Sequence, residues 1–264
     1  AEKLTVLSKS IRPLPVVKEK DGETFDAFSD KEQRYRNRHL DLIVNPEVRD
    51  TFIKRTKIIN ALRSFLDSRD FLEVETPVLQ PLYGGANARP FVTHHNALDQ
   101  KFYLRIADEL YLKRLIIGGF EKVYEIAKDF RNEGMDRSHN PEFTMLEYYE
   151  AYADYEDTMA LVEEMIRNTA KVVNAEQITW GDMEIDLSKP FHKKTYFELL
   201  KDVSGHDLSK AGYEELISVF NEMNIDIPEN ANISQLLGTL MDDLVEPTLI
   251  HPTFIIDYPK EVSP

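Results

Sequence analysis

The sequence predicts a fold of the α+β class, on three observations. Phe52, Ile59 and Leu66 recur every seven residues with Ile53 and Leu62 filling in, a spacing that predicts a long amphipathic helix from Asp50 to about Arg69. Two strand-like runs, EKVYEIAKDFRNE and PEFTMLEYYEAY, flank the polar loop GMDRSHN and predict a long antiparallel hairpin. Beyond it, Asp154 to about Val173, Ala211 to Met223 and Ile233 to Val245 carry helical spacing.

The remaining elements follow in order. Residues 1 to about 30 hold one alternating apolar run, LTVLSKSIRPLP, then a polar stretch with Gly22, which reads as a final strand and an exit linker unable to fold alone. After the long helix, FLEVETPVLQP is rich in β-branched residues, and Pro77 predicts a strand with interrupted pairing. KFYLRIADELYLKRLIIGGF reads as a strand and then a helix, with Ala107 and Asp108 near its cap, Glu109 in its first turn and Gly118-Gly119 ending it. A last apolar strand, TFIIDYP, precedes EVSP. No repeat or low-complexity tract is present, and the polar stretch from Asn174 to Lys210 gives no functional reading.

Composition limits the function. With 264 residues, 42% of them hydrophobic, one main domain plus a small appendage is expected. The absence of cysteine excludes disulfides, thiolate metal sites and cysteine nucleophiles, and a reducing cytoplasmic location is the default. Apolar stretches such as Leu115 to Ile117 and Phe254 to Ile256 fall far short of the ~20 residues a spanning helix needs, so no membrane association is expected. AEKLTVLSKS does not read as a secretory signal, and the start resembles a cut inside a longer protein. A net charge of −15 argues against a general nucleic-acid clamp, so RNA contact must be local. The most basic stretch is KEQRYRNRH, and charge alone leaves both a solvated linker and an RNA or interface contact open for it.

The chemistry-bearing pattern lies in the hairpin. Alternation places Phe143, Met145, Glu147 and Tyr149 on one face of the second strand, and Glu125, Ala127, Asp129, Arg131 and Glu133 on one face of the first. Solvent exposure would explain one such mixed strand, but two adjacent ones favour a polar ligand cleft. Arg131 offers a rigid fork of donors for a phosphate, with His139 and Asn140 as further donors at the loop end. His94 and His95 adjoin in an extended segment, point apart, and read as structural rather than as a metal pair. Gly84-Gly85 permits either a plain turn or close backbone approach to a ligand. None of the ten glycines forms GxxxxGK or GxGxxG, so a nucleotide would need another cradle.

FRNEGMDRSHNPEFTMLE resembles motif 2 of the class II aminoacyl-tRNA synthetases in its lysyl-specific form. Other blocks agree in order: RYRNRHLDLI resembles the entry to the catalytic domain, FLEVETPVLQP resembles motif 1 with Pro77 as its proline, and GGANARPFVTHHNALDQKFYLRIADELYLKRL resembles the lysine-site region. The resemblance runs from about Leu4 to Pro264, strongest between Arg34 and Tyr155. It implies an antiparallel sheet flanked by helices, a remnant of an OB-fold and linker over residues 1–30, a catalytic domain over 31–264, and a homodimer built in part on motif 1.

The implied reaction joins lysine and ATP into lysyl-adenylate, with Mg2+ as cofactor, and then transfers lysine to tRNA(Lys). By resemblance Arg131 is the catalytic residue, clamping the α-phosphate and the lysine carboxylate, while Glu133, His139 and Asn140 hold ATP and Phe143 stacks on adenine. Glu147 and Tyr149 would receive the lysine ε-ammonium, and Glu109 with the Gly85 backbone the α-ammonium. The family's magnesium carboxylates and its motif 3 arginine belong to a segment beyond DYPKEVSP, so no metal ligand is expected within these residues and the chain is expected to be inactive alone. Three alternatives stand beside this: a paralogue that lysylates elongation factor P, against which residues 1–30 argue; an aspartyl- or asparaginyl-specific relative, whose pocket Glu109 and Glu147 do not suit; and a non-catalytic dimerisation or regulatory module.

Overall fold

A computed structural model describes residues 3–9, 11–15, 18–20, 23–25, 28–136 and 138–263. Gly22 and Arg137, which fall in two of the loops discussed above, lie outside the described residues. The chain divides into two compact units, residues 1–60 and 61–264.

In the first unit the expected strand over Leu4 to Pro15 does not form: the described residues there are irregular, with Leu4, Val6, Leu7 and Ile11 exposed. Alternation makes a strand only where a neighbouring strand takes up its backbone hydrogen bonds, and no strand among the described residues pairs with this run. A short hairpin of β1 (Lys18–Lys20) and β2 (Glu23–Phe25) follows, then α1 (Lys31–Arg36), α2 (Arg38–Val44) and the start of α3 (Pro46–Asp67). Asp30 caps α1 by accepting the Gln33 N–H at 2.9 Å. Two arginines of the basic stretch turn inward, because the buried Asp41 carboxylate accepts Arg34 Nε at 2.7 Å and pairs with Arg38. Burial pushes that carboxyl up, but Asn45 and the two arginines outweigh it and hold it below its ordinary value.

The second unit carries two three-stranded sheets. One, ordered β3 (Leu72–Glu73), β7 (Lys122–Phe130), β8 (Glu142–Glu150), is antiparallel between β7 and β8 and parallel between β3 and β7. The other, ordered β4 (Leu79–Gln80), β6 (Gln100–Leu104), β5 (Val92–His95), is antiparallel throughout. Pro77 stands between β3 and β4, where the motif 1 run breaks as its composition predicts. The Arg105 backbone ties the two sheets together, its N–H donating to Val78 O and its carbonyl accepting Phe130 N–H, both at 2.9 Å.

Helix α4 (Glu109–Ile117) starts at Asp108 and stops at Gly118. Helix α5 (Tyr155–Val172) starts at Asp154, whose capping box with Asp157 satisfies two backbone donors. Phe65 and Leu66 of α3, Phe71, Tyr124 of β7 and Met165 of α5 form one buried cluster beneath the β7–β8 sheet. Tyr124 keeps its hydroxyl in that core by donating to Asp67 Oδ1 at 2.7 Å.

The stretch from Asn174 to Lys210, silent in the sequence, supplies the hairpin of β9 (Gln177–Trp180) and β10 (Met183–Asp186), then β11 (His192–Thr195) and α6 (Tyr196–Ser204). A Thr195–Glu198 capping box starts α6, and Gly205 at φ +77° ends it. Helix α6 packs with α7 (Tyr213–Met223) and α8 (Ile233–Leu240), the latter continuing into a π-helical turn at Met241–Val245. β12 (Thr253–Ile256) pairs parallel with β11. Phe220 is fully buried in this second core, so Phe220→Ala is expected to cost about 3–5 kcal/mol. Urea denaturation should show a lower midpoint with an unchanged slope.

Candidate active site

The β7–β8 register turns two alternating strands into one functional face. Glu125 lies opposite Glu147, Ala127 opposite Met145, Asp129 opposite Phe143 and Val123 opposite Tyr149. Directly opposed residues project to the same side of a sheet, so Glu125, Ala127 and Asp129 share one surface with Phe143, Met145, Glu147 and Tyr149, whereas Arg131 and Glu133, expected on the same strand face, lie beyond the end of β7. That surface meets Arg105 and the start of α4, which β6 delivers to it.

Arg105, 3% exposed, is the buried cation of this region. Its Nη1 donates to Glu125 at 2.7 Å and to the Thr76 carbonyl at 3.2 Å, and its Nε donates to the Lys128 carbonyl at 3.0 Å. Glu125 is fully satisfied, because the Thr76 hydroxyl at 2.6 Å and the Thr76 N–H at 3.2 Å also donate to it. Asp108 and Asp129 differ. Each has a carboxylate oxygen near the guanidinium, at 3.1 and 3.3 Å, yet neither is aligned for a hydrogen bond, and all four of their oxygens are buried without a donor. Although Asp108 stands at the N-cap of α4, its side chain caps nothing. Its backbone N–H instead donates to Glu147 Oε1 at 3.3 Å.

One oxygen each of Asp108, Asp129 and Glu147 lie within 4.8 Å of one another. Burial pushes the Asp108 carboxyl up to about 8, with the charge of Asp129 adding to the rise and Arg105 opposing it. Asp129 is raised first by its own burial, and so is Glu147, against the lowering effect of the Asp108 N–H. Tyr149, two residues from Glu147 on the same face of β8, is raised by burial and by the acids around it, so its hydroxyl stays protonated. A group this rich in carboxylate and this poor in cations suits an added ammonium. Magnesium fits it badly, since that ion demands near-octahedral oxygen and retained water, while Arg105 already occupies the inner side.

Next to it, Arg131, Glu133, Gly134, Ser138, His139, Asn140 and Phe143 line a cavity of about 260 Å³. All five residues singled out by resemblance for ATP therefore face one space. Arg131 Cζ stands 5.1 Å from the centre of the Phe143 ring, and its Nε is buried with no acceptor, an unmet donor. The Arg131 N–H donates to the Pro141 carbonyl at 2.9 Å and Glu133 accepts the Arg89 N–H at 3.2 Å, which closes the loop around this space. His139 Nδ1 meets Asp136 at 2.8 Å; N–H donation from Ser138 and contact with His139 hold that carboxylate below its ordinary value.

Gly85 has φ +88°, and a Cβ there would meet the Glu109 Cβ at 2.9 Å and the Ala107 Cβ at 3.2 Å. Both facts require glycine, and they bring its backbone against the first turn of α4. Glu109 pairs with Lys113 at 2.6 Å. The four residues assigned by resemblance to lysine thus divide into two neighbouring pairs: Gly85 with Glu109, and Glu147 with Tyr149. His94 and His95 have separate partners, Asp99 and the Leu98 N–H.

The profile of tRNA synthetases class II (D, K and N) matches residues 30–264. The chain belongs to this family. Two curated relatives, both named lysine–tRNA ligase and both from Porphyromonas gingivalis, strains ATCC 33277 and W83, are 51% identical to it over 264 residues. Those 264 residues are the whole of this class II synthetase chain but 46% of each relative, so the chain spans about half the length of the curated relatives it matches.

The sequence reading missed Arg105 and the roles of Asp108 and Glu125 in this synthetase site. One signal was present: Arg105 and Asp108 are two charges three residues apart in the run FYLRIADEL, flanked by Ile106 and Ala107, which are buried. Charges spaced that way in an apolar stretch point to a buried pair.

The raised carboxyl also predicts a pH dependence. A carboxyl whose folded value, about 8, lies above its ordinary 3.8 holds its proton more tightly in the folded chain. Its contribution to stability is full below the ordinary value and is lost as pH rises through the folded one. Thermal melts of Asp108→Asn are therefore expected to be less pH-dependent than those of the parent chain, and to lie above them at pH 9.

Proposed function

We propose that this chain forms the amino-acid-activating part of a lysine–tRNA ligase, which joins lysine and ATP into lysyl-adenylate and pyrophosphate and then transfers lysine to tRNA(Lys). The observation that supports it most is the adjacency, on one sheet face, of an acid-rich pocket around Glu147 and a cavity holding the unsatisfied Arg131 donor. An ammonium at one end and a phosphate at the other are what these two chemistries would receive. The names of the two Porphyromonas relatives agree with it.

In this reading the lysine ε-ammonium meets the Glu147 carboxylate and the Tyr149 hydroxyl oxygen, while Glu109 and the Gly85 backbone receive the α-ammonium. Arg131 binds the substrate carboxylate and the α-phosphate, drawing the attacking oxygen and the phosphorus together and offsetting the charge that develops as pyrophosphate leaves. A carboxylate is already a nucleophile at neutral pH, so no general base is needed and catalysis rests on position and charge. Glu133, His139 and Asn140 hold ATP, and Phe143 offers its ring to adenine. Magnesium, which ATP chemistry in this family implies, finds one carboxylate, Glu133, among the residues lining the cavity.

An aspartate- or asparagine-specific pocket must receive a carboxylate or an amide, which the acids around Glu147 oppose. We further propose a cytoplasmic homodimer. The motif 1 segment leaves Leu72, Val78, Leu79 and Leu82 exposed, a surface that a second copy would cover. No helix among the described residues is long and apolar enough to cross a membrane.

Thermal shift with non-hydrolysable lysyl-, aspartyl- and asparaginyl-adenylate analogues tests the specificity, since a ligand bound only by the folded state raises the melting temperature. Stabilisation by the lysyl analogue alone is expected, and an equal or larger shift with the aspartyl analogue would defeat the assignment. In the natural full-length protein, Glu147→Gln is expected to lower kcat/KM for lysine by about 100-fold or more, as loss of a charge-assisted contact to a buried ammonium costs roughly 3 kcal/mol or more. The KM for ATP should change little, and equal losses for both substrates would remove Glu147 from this role.

A further inference from the structure

Asp108 and Asp129 take no part in the reaction as proposed, yet both are 0% exposed, and their four oxygens have no hydrogen-bond donor. Arg105 supplies none: its Nε and Nη1 donate to the Lys128 and Thr76 carbonyls and to Glu125 instead. Three carboxylates, those of Glu125, Asp108 and Asp129, lie 2.7, 3.1 and 3.3 Å from this one buried guanidinium, and Glu147 stands beside two of them. Two buried carboxylates side by side are costly, but a carboxyl and a carboxylate can hydrogen-bond, the proton serving as the missing donor. One oxygen of each side chain lies within 4.8 Å of one of the other.

We infer that Asp108 and Asp129 hold one proton between them in the empty pocket, and that a cationic amino group arriving beside Glu147 expels it, coupling substrate binding to proton release. The inference rests on the proposal that a lysine ammonium enters at Glu147. Glu147 is the third member of the cluster and is also bound by the Asp108 N–H, so a cation placed on it lies next to the shared proton. The O–H bond of the carboxyl breaks, the proton passes to water or buffer, and the positive charge it leaves behind is replaced by that of the ligand.

The charged and titratable groups facing the pair come from every surrounding element: Arg105 after β6, Glu109 with its partner Lys113 on α4, Glu125 on β7, Arg131 beyond its end, and Glu147 and Tyr149 on β8. The acids among them favour the shared proton and the two arginines oppose it. The upward shift of Asp108 to about 8 agrees with a proton still held at neutral pH when the pocket is empty.

Calorimetric titration of the natural full-length protein with L-lysine at pH 7, in buffers of different ionisation enthalpy, counts the protons released. Close to one is expected, with the lysine Kd falling towards tenfold per pH unit between about pH 6 and 7.5, the slope that one linked proton produces. Asp108→Asn keeps a donor towards Asp129 but has no proton to lose, so release should drop to near zero and the pH dependence should flatten. Asp129→Asn, measured alongside in case one variant misfolds, should do the same. Lysine binding without proton release by the parent protein, or release that persists unchanged in either folded variant, overturns the inference while leaving the lysine site intact. Absence of lysine binding at any pH defeats the proposed function, and this inference with it.

Discussion

Everything on the functional face depends on one buried guanidinium. Arg105 joins the two three-stranded sheets through its backbone and holds Glu125 through its side chain, and Asp108 and Asp129 sit within 3.3 Å of it. Without that cation Asp108 before α4 and the acids of β7 could not be gathered out of water, since removing one partner of a buried ion pair leaves the other uncompensated at a cost of about 3–5 kcal/mol. Because Glu125 is satisfied by Arg105 and Thr76 together, it serves as an anchor rather than as a free charge. The surplus negative potential falls on Asp108, Asp129 and Glu147.

In the proposed pocket that surplus would act as a specificity device as much as a binding one. The family groups synthetases for three amino acids, D, K and N, on one architecture, so the choice among them must rest on side chains rather than on the fold. A pocket with more acids than its arginine can neutralise rejects a substrate carboxylate by repulsion and an amide by leaving a carboxylate without its cation. It needs no steric exclusion to do so. The same surplus would be a liability in the empty protein, and a mobile proton is the smallest cation that can relieve it.

The sequence made much of this legible. Period and punctuation located α3, α4, α5 and the β7–β8 hairpin to within a few residues, because each is long and ends on a clear signal such as Asp154 or Gly118. The polar face was legible too, since alternation is a local property. What alternation could not tell was that the two faces coincide, which is a matter of register, nor that Arg105 reaches them from another sheet. The N-terminal run failed as a strand because a period-2 pattern states a preference and not a partner. Helix α6 was missed because its nine residues follow the charged strand HKKT, which hides the start of an apolar period.

The two halves of the site are set apart by the strand itself. Glu147 and Phe143 are four residues apart on β8, or about 13 Å at the usual rise per residue, and alternation keeps both on the same face. Asp129 stands opposite Phe143 and Glu125 opposite Glu147, so β7 repeats the spacing. A rigid ladder of backbone hydrogen bonds thus fixes the separation between Glu147 and the Phe143 ring beside which Arg131 stands. Loops could supply the same side chains but not the same constancy of distance, and a reaction that relies on position instead of a general base has most to lose from a change in that distance.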